Sequence, residues 1–305
     1  MDRRRFLRYS SAAVTSSLLL PSGLTQALSK ATPKYKLGYQ LYSVNKDMQR
    51  SPWSTLMALK KMGYQDFEVF GFDPDTVSYY GLPAKDFKRM LDELGLSVSS
   101  GHYGFASYLD KPLAEMDAFV DKCIQGAKKL EASYITWPWM APEQRTLATF
   151  KKLPALLNHI GERVTKAGLT FAYHNHGFEF EITDPETGMT GYDMVISQTD
   201  PKVVKLQMDM YWVAHAMKTT PKALVAAHPG RFVMWHIKDM DKQTRDYTEL
   251  GNGSIDYPAV LPDTDVSGLR YFYIEQGGNF ASSPMESAAA SAEYFKANLA
   301  SHFEQ

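Results

Sequence analysis

Short apolar runs alternate along this chain with longer segments whose apolar residues recur at the helical period. Eight runs have the length and composition of buried strands, at residues 37–44, 67–72, 97–101, 134–139, 170–173, 203–208, 232–237 and 271–274. The helical segments between and after them lie at residues 54–62, 84–94, 116–130, 146–167, 192–198, 221–227, 257–261 and 285–299. Such alternation is typical of repeated βαβ units around a parallel sheet.

The number of units decides between the parallel folds. Eight units in roughly 275 residues match a (β/α)8 barrel, whose usual size is about 250 residues. A doubly wound open sheet is the competing fold, but no glycine-rich phosphate-binding motif follows the first apolar run. No linker, repeat or low-complexity tract interrupts the alternation. The sequence therefore predicts a single α/β domain, a (β/α)8 TIM barrel, over residues 32–305.

The N-terminal segment departs from this pattern. A basic stretch at residues 3–8 precedes a short apolar segment at 12–20 and then small residues around Ala27. This order predicts a secretory signal, since the apolar segment is too short to span a bilayer. Its paired arginines followed by Phe-Leu resemble the twin-arginine export signal, and an ordinary basic tail is the alternative. We expect residues 1–31 to be a signal peptide and short leader read by the twin-arginine machinery, and the mature protein to be periplasmic or otherwise exported.

Composition and charge narrow the classes of partner. An apolar content of 44% is that of a globular protein with a sizeable core. The formal net charge is -1, and cleavage after Ala27 would leave 29 basic and 33 acidic residues, or -4. Neither nucleic acid nor a membrane surface is therefore an expected partner of the mature protein. The lone Cys123 excludes an intrachain disulfide, and self-association into a homo-oligomer stays open.

Metal-binding residue types end the last four apolar runs. The active site of a (β/α)8 barrel lies at the C-terminal ends of its strands. The fifth to eighth runs finish on His174, Asp209, His236 and Glu275. Imidazole and carboxylate groups suit Mn, Zn, Fe or Co. We expect these four side chains to hold one divalent metal ion, although His174 and His176 taken alone would equally suit hydrogen-bonded core histidines.

Residues suited to a sugar lie at the same ends. Aromatic rings that can stack on a pyranose occur at Tyr39, Trp137, Trp139 and Trp212, with core packing as the alternative. Glu68 and His102 are candidates for hydrogen bonds to sugar hydroxyls, with a purely structural role as the alternative. No arginine cluster or glycine-rich helix start marks a phosphate site. The expected ligand is thus a small sugar without a phosphate.

Four motifs resemble those of a known family. They are Tyr-His-Asn-His at 173–176, Met-Asp at 208–209, His-Ile-Lys-Asp at 236–239 and Ile-Glu-Gln at 274–276. They resemble the sugar phosphate isomerase/epimerase family of the xylose isomerase-like TIM barrel superfamily, whose epimerases hold a divalent metal with Glu, Asp, His and Glu. Matching by position implies that Asp209, His236 and Glu275 are ligands, and that His174 stands where those epimerases have glutamate. That exchange changes the formal charge of a divalent site from about -1 to about 0.

The resemblance implies chemistry through an enediolate. A base would remove a proton next to a carbonyl whose developing charge the metal stabilises, as in a sugar isomerase or epimerase. In those epimerases the metal-bound glutamates also shuttle the proton, and a ligating imidazole has no free lone pair to do so. The expected replacement for His174 is Glu179, then His176 or Lys238, with Glu275 as the opposing base.

Other functions are compatible with the same predicted site. A keto-glycoside lyase would use the enediolate to expel a leaving group, and a hydratase would catalyse the reverse type of reaction. Export would favour this pair because free glycosides are met outside the cell. A sugar-binding barrel without catalysis and an abasic-site endonuclease are the remaining alternatives. An endonuclease would need a basic groove, which a net acidic chain does not favour.

Overall fold

Eight parallel strands close into a barrel within residues 34–304, the part of the chain that the computed structural model describes. In chain order they are β1 (Gly38–Gln40), β2 (Asp66–Val69), β3 (Ser97–His102), β4 (Tyr134–Trp137), β5 (Thr170–His174), β6 (Val204–Asp209), β7 (Phe232–Ile237) and β8 (Tyr271–Ile274). Each strand pairs with the next, and β8 pairs with β1. The predicted TIM barrel is confirmed. The predicted signal and leader at residues 1–31 lie outside the described residues.

Helices surround the barrel and cover its outer face. The main ones are Asn45–Arg50, Pro52–Met62, Ala84–Leu94, Leu113–Leu130, Leu147–Lys166, Gly191–Gln198, Met210–Ala216, Pro221–Ala227 and Pro284–Asn298, with single turns at Phe178–Glu181, Tyr257–Val260 and Thr264–Ser267. Short 3-10 helices occupy Leu41–Val44, Phe105–Tyr108, Pro142–Gln144 and Ala300–Phe303. Strands covered on both faces read as continuous apolar runs, as β7 does with every residue buried. None of the helices within residues 34–304 has the length and apolar character of a membrane span.

The strand ends differ from the predicted ones where side chains bond to nearby backbone. The run predicted over 37–44 leaves the barrel after Gln40, whose side chain accepts a hydrogen bond from the Tyr42 N–H and caps a 3-10 turn. The run predicted over 67–72 ends at Val69, and Phe72–Asp73 joins a separate antiparallel sheet with Ser78–Tyr79 and Leu82–Pro83. Strand length is therefore set partly by local polar contacts that the apolar pattern does not contain.

The barrel interior has an apolar layer beneath a polar one. A small buried cluster includes Ala172, Met234 and Tyr273. Residues two positions further along a strand point to the same face, so the next layer toward the C-terminal end contains His174, His236 and Glu275. The two-residue alternation of side chains along each strand thus brings these three polar side chains together at the mouth of the barrel.

A buried carboxyl group lies at the opposite end of the barrel. Asp66 begins β2, is 2% exposed, and accepts hydrogen bonds from the hydroxyls of Ser97 and Ser99. Burial raises the pKa of Asp66 to about 6, although both hydroxyls oppose the shift. Between its unfolded and folded pKa values, the unfolded chain has released this proton while the folded chain retains it. Folding stability contributed by this group therefore falls as the pH rises from about 4 to about 6.

We predict that Asp66→Asn removes this loss. The two pKa values correspond to about 2 kcal/mol of unfolding free energy that the wild type loses between pH 4 and pH 7. Urea unfolding of both proteins at these two pH values measures the difference, with the exposed Asp75→Asn as the control for an aspartate-to-asparagine change. Parallel pH dependence of the wild type and Asp66→Asn would contradict the prediction.

Candidate metal and active site

The side chains that end the last four strands converge at the mouth of the barrel, and all of them are buried. Ligand atoms of Asp209, His236 and Glu275 lie within 4.8 Å of one another. The Nε2 atom of His174 lies 3.5 Å from Oδ2 of Asp209. The structure therefore brings together the four residues predicted as metal ligands.

A cation of the protein lies between the two carboxylates of this group. The Lys238 Nζ atom is 2.7 Å from Asp209 Oδ2 and 2.7 Å from Glu275 Oε2. Burial lowers the pKa of Lys238, but the two carboxylates outweigh burial and hold it above its ordinary value. Both carboxylates thus contact the same positively charged group. Together with the two imidazoles, they form a set of donor atoms that suits a divalent transition metal ion.

A second polar layer orients the two imidazoles from beneath. The His236 Nε2 atom lies 2.6 Å from Glu68, while its Nδ1 atom lies 2.6 Å from Glu275. The His174 Nδ1 atom donates to Oε1 of Gln207 at 2.9 Å, which leaves Nε2 directed at Asp209. Metal-binding histidines are commonly fixed by such an outer hydrogen bond on the second nitrogen. Glu68 and Gln207 are therefore placed to set which nitrogen each ring presents.

The protonation of these imidazoles follows from their surroundings. Burial lowers the pKa of His236, but Glu68 and Glu275 outweigh it and raise the pKa to about 9. Burial, followed by repulsion from His236, holds the pKa of His174 well below its usual range. His174 is therefore neutral at pH 7, as metal binding requires, whereas His236 must release a proton first.

Glu68 is the centre of the lower layer. Its carboxylate accepts hydrogen bonds from Gln40, Ser100 and Gln207 at 2.6 to 2.7 Å, in addition to the contact with His236. Burial raises the pKa of Glu68, but His102 and His236 outweigh burial and keep it well below the usual range. Glu68 is fully buried and does not line the cavity above it. This position favours the structural alternative over contact with a sugar.

A cavity of about 740 Å³ opens above the four predicted metal ligands. Its size is within the range usual for small-molecule sites. The predicted site residues that line it are His102, His174, His176, Lys238, Glu275, Trp139 and Trp212. Asp209 and His236 lie beneath its surface, as does Glu68. The remaining predicted residues, Tyr39, Trp137 and Glu179, are also buried away from the lining.

The two aromatic residues away from the cavity have packing contacts. The Trp137 ring stacks on Phe105 at a centroid distance of 5.2 Å, and its indole N–H donates to the Trp139 carbonyl at 2.9 Å. The Tyr39 ring packs against Tyr64 at 4.6 Å. Trp139 is instead 44% exposed and lines the cavity mouth. Both tryptophans were predicted to stack on a sugar, but Trp139 lines the cavity and Trp137 does not.

Glu179 lies behind the cavity wall formed by His176. Its two oxygens accept hydrogen bonds from the Tyr173 hydroxyl and the His176 backbone N–H, each at 2.9 Å. Burial raises the pKa of Glu179 to about 8 despite these donors, so the group is largely protonated at pH 7. Its contacts therefore position the loop that carries His176.

His176 presents a neutral imidazole at the cavity. Burial, followed by the charge of Lys238, lowers its pKa well below the usual range. Its Nδ1 atom is buried and has no hydrogen-bond partner among residues 34–304, and its ring packs against Trp212 at a centroid distance of 5.5 Å. A neutral imidazole keeps one unprotonated ring nitrogen and can therefore accept a proton.

Three further residues of the site were missed by sequence reasoning. Gln207 precedes Asp209 by two positions in β6, so strand periodicity could have identified it. Asn175 accepts from the Asp209 N–H at 3.0 Å and thereby joins the ends of β5 and β6. Arg145 lines the cavity from the loop after β4, and no feature of its sequence context indicated this.

Comparison with known proteins identifies one family model. The model described as xylose isomerase-like TIM barrel matches residues 56–297. No curated protein sequence matches the chain.

Solved structures resemble the fold over most of the chain. One is a sugar phosphate isomerase/epimerase from Parabacteroides distasonis ATCC 8503, with 28% identity, a TM-score of 0.77 and coverage of 92% of this chain and 99% of that one. Two more distant ones show the fold alone. The IOLI protein with a bound zinc atom is 14% identical, with a TM-score of 0.67 and coverage of 88% and 100%. A probable 3-DHS dehydratase from Bacillus anthracis is 10% identical, with a TM-score of 0.65 and coverage of 86% and 98%.

We predict that His174→Ala weakens metal binding by more than the roughly 10–100-fold that loss of an outer hydrogen-bond partner costs. The matched control is His102→Ala, which removes another buried imidazole, one that forms a second cluster with His174 and His236. Competition with a chelator for Mn²⁺ or Zn²⁺ measures both affinities. A larger loss in His102→Ala than in His174→Ala would place the ion among the three histidines and contradict the prediction.

Proposed function

Because the chain belongs to the xylose isomerase-like TIM barrel family, we propose that it is a divalent-metal-dependent sugar isomerase or epimerase acting by proton transfer next to a carbonyl. The observation that carries this proposal is the convergence of Asp209, His236 and Glu275 beside His174 at the floor of a sugar-sized cavity. The similarity to a sugar phosphate isomerase/epimerase of 28% identity supports the same reaction class.

His174, Asp209, His236 and Glu275 would hold one ion of Mn, Zn, Co or Fe. When bound, the ion would polarise a substrate carbonyl and stabilise the charge of an enediolate. Lys238 lines the cavity beside Glu275 and carries a positive charge. Its ammonium can donate a hydrogen bond to the oxygen on which negative charge develops.

His176 and Glu275 are the groups best placed to move the proton. Both line the cavity, whereas Glu179 does not. His176 is neutral because burial and the charge of Lys238 lower its pKa, and Glu275 is ionised because Lys238 and His236 outweigh burial and hold its pKa low. We therefore assign His176, in place of Glu179, as the base that compensates for His174, and Glu179 as the residue that positions it.

A keto-glycoside lyase or hydratase is the second candidate function. The cavity continues beyond the ligand group to aromatic side chains at Tyr42, Phe70 and Trp139, which leaves room for a substituent attached to the sugar. Expulsion of such a substituent from the enediolate requires the same base. The twin-arginine signal predicted for residues 1–31 would place the enzyme where free glycosides occur.

We predict solvent hydrogen exchange by the metal-loaded protein. Incubation in D2O with free ketoses and with a 3-keto-glucoside should introduce deuterium at the carbon next to the carbonyl, detected by NMR or mass spectrometry. Release of the aglycone from the keto-glucoside would select the lyase function. The chelator-treated protein is the control. If none of these sugars exchanges or reacts with the metal-loaded protein, the enzymatic proposal is wrong and a binding function without catalysis gains support.

We also predict that His176→Gln lowers kcat by about 10²–10⁴-fold, the usual contribution of a general base, without loss of bound metal. Glu179→Gln should lower kcat less, because Glu179 does not line the cavity and its carboxyl group hydrogen-bonds to the Tyr173 hydroxyl and the His176 backbone. Steady-state kinetics and metal analysis of both variants provide the comparison. A larger loss of kcat in Glu179→Gln, with metal retained, would return the base role to Glu179.

A further inference from the structure

Arg145 is a cavity-lining cation that the proposed chemistry does not use. It follows the 3-10 helix Pro142–Gln144 in the loop between β4 and the next long helix. Its Nε–H donates to the Met140 carbonyl at 3.0 Å, which holds the Nε end of the guanidinium in place. No hydrogen bond within residues 34–304 engages its two terminal nitrogens.

Two aromatic rings hold the guanidinium in place. Its Cζ atom lies 4.3 Å from the centre of the Phe178 ring and 5.3 Å from that of the Trp139 ring. Both rings line the same cavity. Arginine on aromatic faces is attracted to the ring quadrupoles and loses side-chain freedom. The group is therefore preorganised at the cavity wall before any ligand binds.

The charge of Arg145 has no ion-pair partner among the described residues. Lys238 also lines the cavity, but Asp209 and Glu275 both lie 2.7 Å from its ammonium. Arg145 makes no ion pair with any carboxylate within residues 34–304, including Glu181, which lines the same cavity. Lys238 at the floor of the cavity is therefore paired with carboxylates, whereas Arg145 at its wall is not paired with any carboxylate of residues 34–304.

We propose that Arg145 binds an anionic group of the substrate, a carboxylate or a phosphate ester, and so determines specificity for an acidic sugar. A planar guanidinium with free terminal N–H groups matches both anions in a bidentate arrangement. The inference rests on the proposed function in taking the rest of the ligand to be a sugar whose carbonyl faces the His174 end of the cavity. It revises the expectation of an uncharged ligand, which considered only clustered arginines and glycine-rich helix starts.

The test is calorimetric titration of the metal-loaded protein with D-glucuronate, D-glucose 6-phosphate and D-glucose at fixed ionic strength. At least one anion should bind about tenfold or more tightly than glucose, since hydrogen bonds between charged groups are worth that much. Arg145→Gln should abolish this preference, while Arg145→Lys should keep only part of it because lysine lacks the planar fork. The matched control is Arg163→Gln, which removes the same charge from a surface pair with Asp121 and should keep the preference. Thermal melting of each variant verifies its fold.

The two anions distinguish the source of the negative charge. Tighter binding of glucuronate assigns a carboxylate, and tighter binding of glucose 6-phosphate assigns a phosphate ester. Failure of both anions to bind more tightly than glucose, or a preference that survives Arg145→Gln, overturns the proposal. Titration does not depend on turnover, so an anion preference without solvent exchange refutes the proposed reaction alone. Exchange without an anion preference refutes the role of Arg145 alone.

Discussion

Buried charge is the constraint on which the barrel mouth depends. Glu68, Asp209 and Glu275 are 7% exposed or less, and isolated carboxylates there would cost several kcal/mol each. His236 bridges Glu68 and Glu275 at 2.6 Å, and Lys238 bridges Asp209 and Glu275 at 2.7 Å. Because every charge is paired with another strand's residue, the network fixes the ends of β2, β6, β7 and β8 relative to one another.

The loops extend this fixed arrangement toward the cavity. Asn175 holds the backbone of Asp209 from both sides, accepting from its N–H at 3.0 Å and donating to its carbonyl at 3.3 Å. Asp239 accepts from the N–H groups of Gly251 and Gly253. A Cβ atom at Gly253 would lie 2.1 Å from the Asp239 carboxylate, so only glycine permits this approach. The loop sequences thus serve the same positioning as the strand ends.

The sequence predicts the barrel and the convergence of polar side chains at its mouth because both follow from periodicity. Apolar runs mark strands, and residues at strand ends meet at one face, so the convergence of Asp209, His236 and Glu275 could be anticipated. The burial of a side chain that lies beyond the end of a strand could not be anticipated in this way. Glu179 ranked first as a base by nearness in sequence, yet a single helical turn directs it behind His176. Arg145 reaches the cavity through a loop whose path no periodic pattern encodes.

The proposed chemistry depends on one divalent ion bound by His174, Asp209, His236 and Glu275. Anomalous diffraction from crystals grown with Mn²⁺ would locate such an ion. One strong peak is expected, with all four side chains coordinated to it. A peak coordinated by His102 in place of Asp209 and Glu275, or no peak at the barrel mouth in crystals whose Mn²⁺ exceeds a measured affinity, would contradict this expectation.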